Sequence, residues 1–265
     1  MAMPSGRLSR FPAAQELTTA DKDAATYADK QLQLTTEFQA RRAYVNGNKK
    51  KSTAKIFDAI PHYKEFAHIH EDFLMMPKMC NISALIFQAN FDELVENLRI
   101  YLLNKGKGFD KSEKGTLDVL LEVNEMCSSK QGVKSSSAPV FKYEKFGKPL
   151  SVNYASVNTS ALVIFKSKDA APYSMLIVCG DVINFKNVPI NNMSQAVLNL
   201  ISVYYVIDRH YPAMFGILLL VERYCLCAVG AATKGGQVGD TSHWKNFVNE
   251  FDAFVSSQQA AKGNI

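Results

Sequence analysis

Cysteine, long apolar runs and charge of one sign are all scarce in this 265-residue chain, and each scarcity removes a class of answer. The five cysteines (Cys80, Cys127, Cys179, Cys225 and Cys227) are odd in number and irregularly spaced. A disulfide framework is therefore not expected in a chain long enough to bury its own core. The densest apolar run, Pro212 to Val221, is bounded by Asp208, Arg209 and His210 on one side and by Glu222 and Arg223 on the other. It is about half of the roughly 20 residues that a spanning helix needs, so a buried helix is expected and no membrane. The first ten residues lack an apolar core of the secretory kind. An intracellular protein is expected, and the sequons at Asn81, Asn158 and Asn192 carry little weight. The net charge of +5, from 30 basic and 25 acidic residues, permits nucleic acid or acidic partners without demanding them.

What is present is an ordinary globular composition, 47% apolar and 21% charged. Residues 1–18 mix Pro, Ser, Gly and Arg and read as a flexible N-terminus. A helical region is expected over 19–128. Its first helix runs from Thr19 to about Val45, with sparse apolar positions and a stop at Asn46-Gly47-Asn48. Ser52 or Thr53 caps a short helix carrying Ile56 and Phe57, Pro61 ends it, and another follows through Phe66, Ile69 and Phe73. The state of Ile82–Phe87 is left open by its pattern. Helical spacing of Phe91, Leu94, Leu98, Tyr101 and Leu102 predicts a helix over Asp92–Lys105. Ser112 or Thr116 opens the next, which reaches Ser128.

Residues 129–138 are small and polar and read as a linker. Beyond them, 139–265 is expected to be an α+β domain. Ala161–Phe165, Ser174–Cys179 and Val182–Val188 are rich in β-branched and aromatic residues, and Gly180-Asp181 suits a hairpin turn. Helices are expected from Asn192 or Ser194 to Arg209, from Pro212 to Gly230, and from Thr241 or Ser242 onward. The fold class predicted is thus α+β: a helical N-terminal half, then a small antiparallel sheet packed with C-terminal helices.

Few residues suggest chemistry. Arg41, Arg42, Lys49, Lys50, Lys51 and Lys55 form the densest basic cluster, and Tyr44 among them could stack on a base. The bland alternative is a solvated loop tip. Trp244, Phe247, Phe251 and Phe254 share one face of the last helix, which either docks on the domain or serves a partner groove. His68 and His70 are two apart and diverge on a helix, so a metal site is not expected; His68 and Asp72 are spaced to pair at the surface. Cys179, His210 and Asp181 could be assembled into a nucleophile set, but a thiol ending an apolar strand stays protonated. Cys225 and Cys227 are spaced for packing rather than for metal, and the glycines at 235, 236 and 239 fit no phosphate-loop pattern. Tyr204, Tyr205 and Tyr211 read as core aromatics.

The order of elements has a family resemblance. The stretches IFDAIP (56–61), IVCGD (177–181), AVLNLISVYYVIDRHYP (196–212) and LVERY (220–224) resemble the C-terminal region of uncharacterised animal proteins similar to sterile-alpha-motif-domain-containing protein 3, which occur in mobile-element-like families. The resemblance is most specific over 196–224. It brings no catalytic residues and implies an interaction module rather than an enzyme. The expectation is a non-catalytic protein-interaction or scaffold module without cofactor, acting through a protein partner or self-association. Nucleic-acid binding through 41–55 is the alternative, and a cysteine-dependent enzyme the third reading.

Overall fold

Buried apolar side chains along the helices dictate the architecture. A computed structural model describes residues 27–47, 52–76, 79, 83–128, 140–145, 160–166, 174–179, 183–184, 193–212, 214–226, 239 and 241–263. In chain order these form α1 (Tyr27–Gly47), α2 (Thr53–Ala59), a 3₁₀ turn (Pro61–Lys64), α3 (Phe66–Leu74), α4 (Ala84–Asn104) and α5 (Glu113–Cys127). Four short strands follow, β1 (Phe141–Lys145), β2 (Ser160–Lys166), β3 (Ser174–Cys179) and β4 (Ile183–Asn184). The chain closes with α6 (Met193–Val206), α7 (Gly216–Cys225) and α8 (Ser242–Gly263).

α6 is the central element. It is apolar on every side, and every residue of it except Gln195 is buried, as expected of a helix surrounded by others. α3, α4 and β2 pack on it, and α7 lies against α4 and α5. α8 lays Trp244, Phe247 and Phe251 onto α4 and α5. The rings of Phe247 and Phe251 meet Tyr101 edge-on at 5.9 and 5.5 Å. Helices from both sides of the 129–138 segment therefore share one hydrophobic core; that segment, like residues 1–18, lies outside the described residues.

The expected α+β class is corrected to a helical one. The strand-forming runs are present as one small sheet, of which β2 touches α6, but helices make up most of the described structure. The core is built chiefly from helix against helix, with Phe141 and Leu162 added from β1 and β2. Nor are the strand ladders purely antiparallel: the order is β1-β2-β3-β4, and β1 runs parallel to β2, pairing Phe141 with Leu162. β1 had no counterpart among the expected strands.

Serine caps set the starts of α2, α4 and α5. Ser52, Ser83 and Ser112 each accept a hydrogen bond from the backbone amide three residues on, which satisfies an otherwise orphaned donor. The Ser83 cap places the start of α4 well before the expected Asp92. At α7, Phe215 offers no cap, and α7 begins at Gly216 rather than at Pro212. There α5 supplies the acceptors: Ser128 Oγ takes the Gly216 amide at 2.8 Å and Asn124 Oδ1 the Ile217 amide at 3.1 Å. This junction admits only glycine. A Cβ on Gly216 would lie 2.6 Å from Cys127 Sγ and 2.7 Å from its carbonyl oxygen. Gly216→Ala is therefore expected to force α5 and α7 apart and to lower stability by about 2 kcal/mol, measured by urea denaturation.

Candidate functional site

The basic segment meets the fold first. Arg41, half-buried on α1, donates from Nε to Asp72 Oδ2 at 2.9 Å and from a terminal nitrogen to Oδ1 at 2.6 Å. Asp72 is buried on α3, and its Oδ2 also accepts from the Tyr63 hydroxyl at 2.6 Å. Next door, Arg42 donates to the carbonyls of Tyr205 and Val206 at 3.2 and 2.7 Å. Those carbonyls end α6, whose chain turns out through Asp208 at a positive φ of 51°. The Arg209 amide closes back onto the Tyr204 carbonyl at 2.9 Å, so Arg42 completes a helix end in the way that a cation suits it.

Both arginines proposed for nucleic acid are thus engaged inside the protein. Tyr44 is half-buried and packed against the core, and Lys55 is exposed. Lys49, Lys50 and Lys51 lie outside the described residues. Among the described residues of the set, the two arginines and Tyr44 turn toward the protein and Lys55 is exposed. The anticipated pairing of His68 with Asp72 is also corrected: His68 meets Glu71 at 3.2 Å and Glu65 at 3.8 Å, because Asp72 faces inward to Arg41.

The aromatic face of α8 is occupied from within. Trp244, Phe247 and Phe251 are buried, and Phe254 packs half-buried on Tyr101 at 5.5 Å. Cys179 ends β3, His210 is exposed beyond α6, and Asp181 lies outside the described residues, so no nucleophile set is assembled by what is described. The described thiols of Cys127 and Cys225 are buried. Burial pushes Cys127 up to about 12, where it is inert. Tyr204 and Tyr205 are core residues as expected, the first bonded to the Ser160 carbonyl at 2.8 Å and the second to Glu222. Among the described residues no cluster could hold a metal ion, and no helix is long and apolar enough to cross a membrane.

Among the described residues, the exposed large apolar side chains lie on α4. Phe87, Phe91, Leu94, Leu98 and Leu102 turn its inner face into the core. Diametrically opposite, Leu85 is 82% exposed, Ile86 55% and Leu103 63%, with Ala89 exposed between them and Ile100 half-exposed. At 100° per residue, Leu85, Ala89, Glu96, Ile100 and Leu103 fall within one narrow stripe. Beside it a cleft of about 230 Å³ opens among Gln88, Asp92, Glu96, Lys111 and Ser194. Asp92 accepts both its bonds from Gln88 Nε2 at 2.9 Å, and Lys111 lies on Glu96 at 3.1 Å. Arg99, deeper in the cleft, is turned to Thr116 Oγ1 at 2.9 Å and to the Asp110 carbonyl.

Sequence reasoning missed this stripe because exposed Leu85 and Ile86 obscure the helical period at the start of α4. The Ser83 cap was the signal that could have found it. Compared with protein-family models, curated proteins and solved structures, the chain matches none.

Two measurements check this geometry. Arg41→Ala strands a buried carboxylate, and a stability loss of about 3 kcal/mol is expected; a solvated basic patch would change by under about 0.5 kcal/mol. His70 stacks between Phe66 and Phe73, and its Nδ1 has no hydrogen-bond partner among the described residues. Burial lowers its pKa below the ordinary 6.5, against a smaller opposing pull from Glu71. The folded state therefore disfavours the imidazolium that the unfolded chain accepts. Stability from this group is present above about 6.5 and is lost as the pH falls through that value toward the depressed one. Denaturation at pH 7.5 and 5.5 should show the loss, and His70→Phe should reduce it.

Proposed function

We propose that this protein is a non-catalytic, intracellular protein-interaction module that engages its partner through the outward face of α4. The observation that carries the reading is the exposure of Leu85, Ile86 and Leu103 on a helix whose opposite face is fully committed to the core. Single exposed leucines are common on protein surfaces. A stripe of them along one rigid helix is a helix-in-groove or helix-on-helix surface of the kind that partners use. The resemblance over 196–224 favours the same class. Nucleic-acid contact through 41–55 has less support, because Arg41 and Arg42 are drawn into the fold.

The test is a photo-crosslinking amino acid at Ala89. An adduct is expected, either with a different protein or with a second copy, and Leu85→Asp with Leu103→Asp should reduce it at least tenfold, in keeping with anchor residues. Since both leucines are exposed, the same pair should change stability by less than about 0.5 kcal/mol. No adduct from Ala89, or one indifferent to the two leucines, would remove the reading.

A further inference from the structure

We infer that the cleft between α4, α5 and the start of α6 binds a small zwitterion, an aminocarboxylate whose carboxylate meets Arg99 and whose ammonium meets Asp92. Which charges in the cleft already have a counter-ion decides this. Lys111 and Glu96 face each other at 3.1 Å and cancel. Arg99 lines the cleft and is only 9% exposed. Its acceptors are neutral, the Thr116 hydroxyl at 2.9 Å and the Asp110 carbonyl. The Asp110 carboxylate is turned instead to the amide and hydroxyl of Ser112. Among the described residues no carboxylate is paired with Arg99, and a buried cation without one is costly. Asp92 is the matching case at the exposed side of the cleft. Both its oxygens accept from the Gln88 amide at 2.9 Å, and no described cation pairs with it.

One cation and one anion without counter-ions, in the same cleft, select a ligand that carries both charges. A guanidinium has five N–H donors, and two of those on Arg99 are engaged. The others remain for a carboxylate, with which a guanidinium makes charge-assisted and often bidentate bonds. A purely anionic ligand would meet Asp92 and Glu96, and a purely cationic one Arg99 and Lys111, at like charge. Arg99 and Asp92 stand two turns apart on one side of α4, roughly 10 Å along its axis. Phe91 and Val95 add an apolar wall for the carbon atoms between the ligand's two charges. The cleft, at about 230 Å³, is smaller than the roughly 300–1,000 Å³ of drug-sized sites. The ligand is therefore of the size of a free amino acid, an ω-amino acid or a dipeptide, which share this chemistry and differ in charge separation. The site does not depend on a partner at Leu85 and Leu103.

The probes are glycine, δ-aminovalerate and glycylglycine. Glycine holds its charges close together, and the other two hold them further apart at matched length. Each is paired with an analogue lacking the ammonium: acetate, valerate and N-acetylglycylglycine. Titrations follow the backbone amide NMR shifts of the full chain. At least one zwitterion is expected to bind at least tenfold more tightly than its analogue, moving the amides around Asp92, Arg99 and Thr116. Which of the three binds best separates the short, long and peptidic sources. Asp92→Asn, at an exposed position, should abolish the preference. Asp92→Lys should reverse it, so that glutarate binds more tightly than δ-aminovalerate. Arg99→Gln should abolish binding of zwitterion and analogue alike. Should Arg99→Gln fail to fold, the two Asp92 variants carry the test, their folding checked by circular dichroism. No shift with any zwitterion up to about 10 mM, equal affinity of each zwitterion and its analogue, or a preference unchanged in Asp92→Asn would overturn the inference.

Discussion

The burial of Asp72 is the constraint on which the rest of the structure depends. A carboxylate removed from water on the inner side of α3 is strongly destabilising unless it is paired and hydrogen-bonded. Its two oxygens receive Arg41 in a bidentate fork and the Tyr63 hydroxyl. The fork fixes α1, otherwise a polar helix whose described apolar contacts are chiefly Phe38 and Val45, against the first half of the chain. Because Arg42 follows Arg41, fixing one delivers the other to the carbonyl end of α6. Two adjacent guanidinium groups thus join the N-terminal helix to the element around which the C-terminal half is packed.

α6 transmits that constraint. Its residues touch α3 through Phe73 and Tyr205, whose rings meet edge-on at 5.7 Å, and Tyr205 reaches on to the buried Glu222 of α7. α7 in turn is capped by α5, and α8 closes over α4 and α5 with an aromatic cluster around Tyr101. Each helix spends its apolar face on a neighbour. α4, used on its inner side by α6, α7 and α8, keeps Leu85, Ile86 and Leu103 exposed on its outer side.

Much of the local structure was legible. Ser52 and Ser112 announced their helices, Asn46-Gly47 marked the end of α1, and the spacing of Trp244, Phe247, Phe251 and Phe254 gave α8 its inner face. The β-branched runs at 161–165 and 174–179 did form strands. Their place in the architecture was not legible, since whether strands make a layer depends on how much of the core the helices already fill. The pairing of Arg41 with Asp72 was hidden for a related reason. The two lie 31 positions apart, and a dense basic cluster looks the same in sequence whether its arginines face water or a buried acid. Asp72, between Ile69 and Phe73 on an inward face, was the residue that could have told them apart.

The most direct test of this account is hydrogen exchange by mass spectrometry on the wild type and on Asp72→Asn. The wild type should protect residues 36–47, 66–74 and 193–206 to a similar degree, as segments that open together. In the variant all three should lose protection in step. If 36–47 exchanges far faster than α3 and α6 in the wild type, or if the variant leaves α6 unchanged, the Asp72 network does not hold the two halves together.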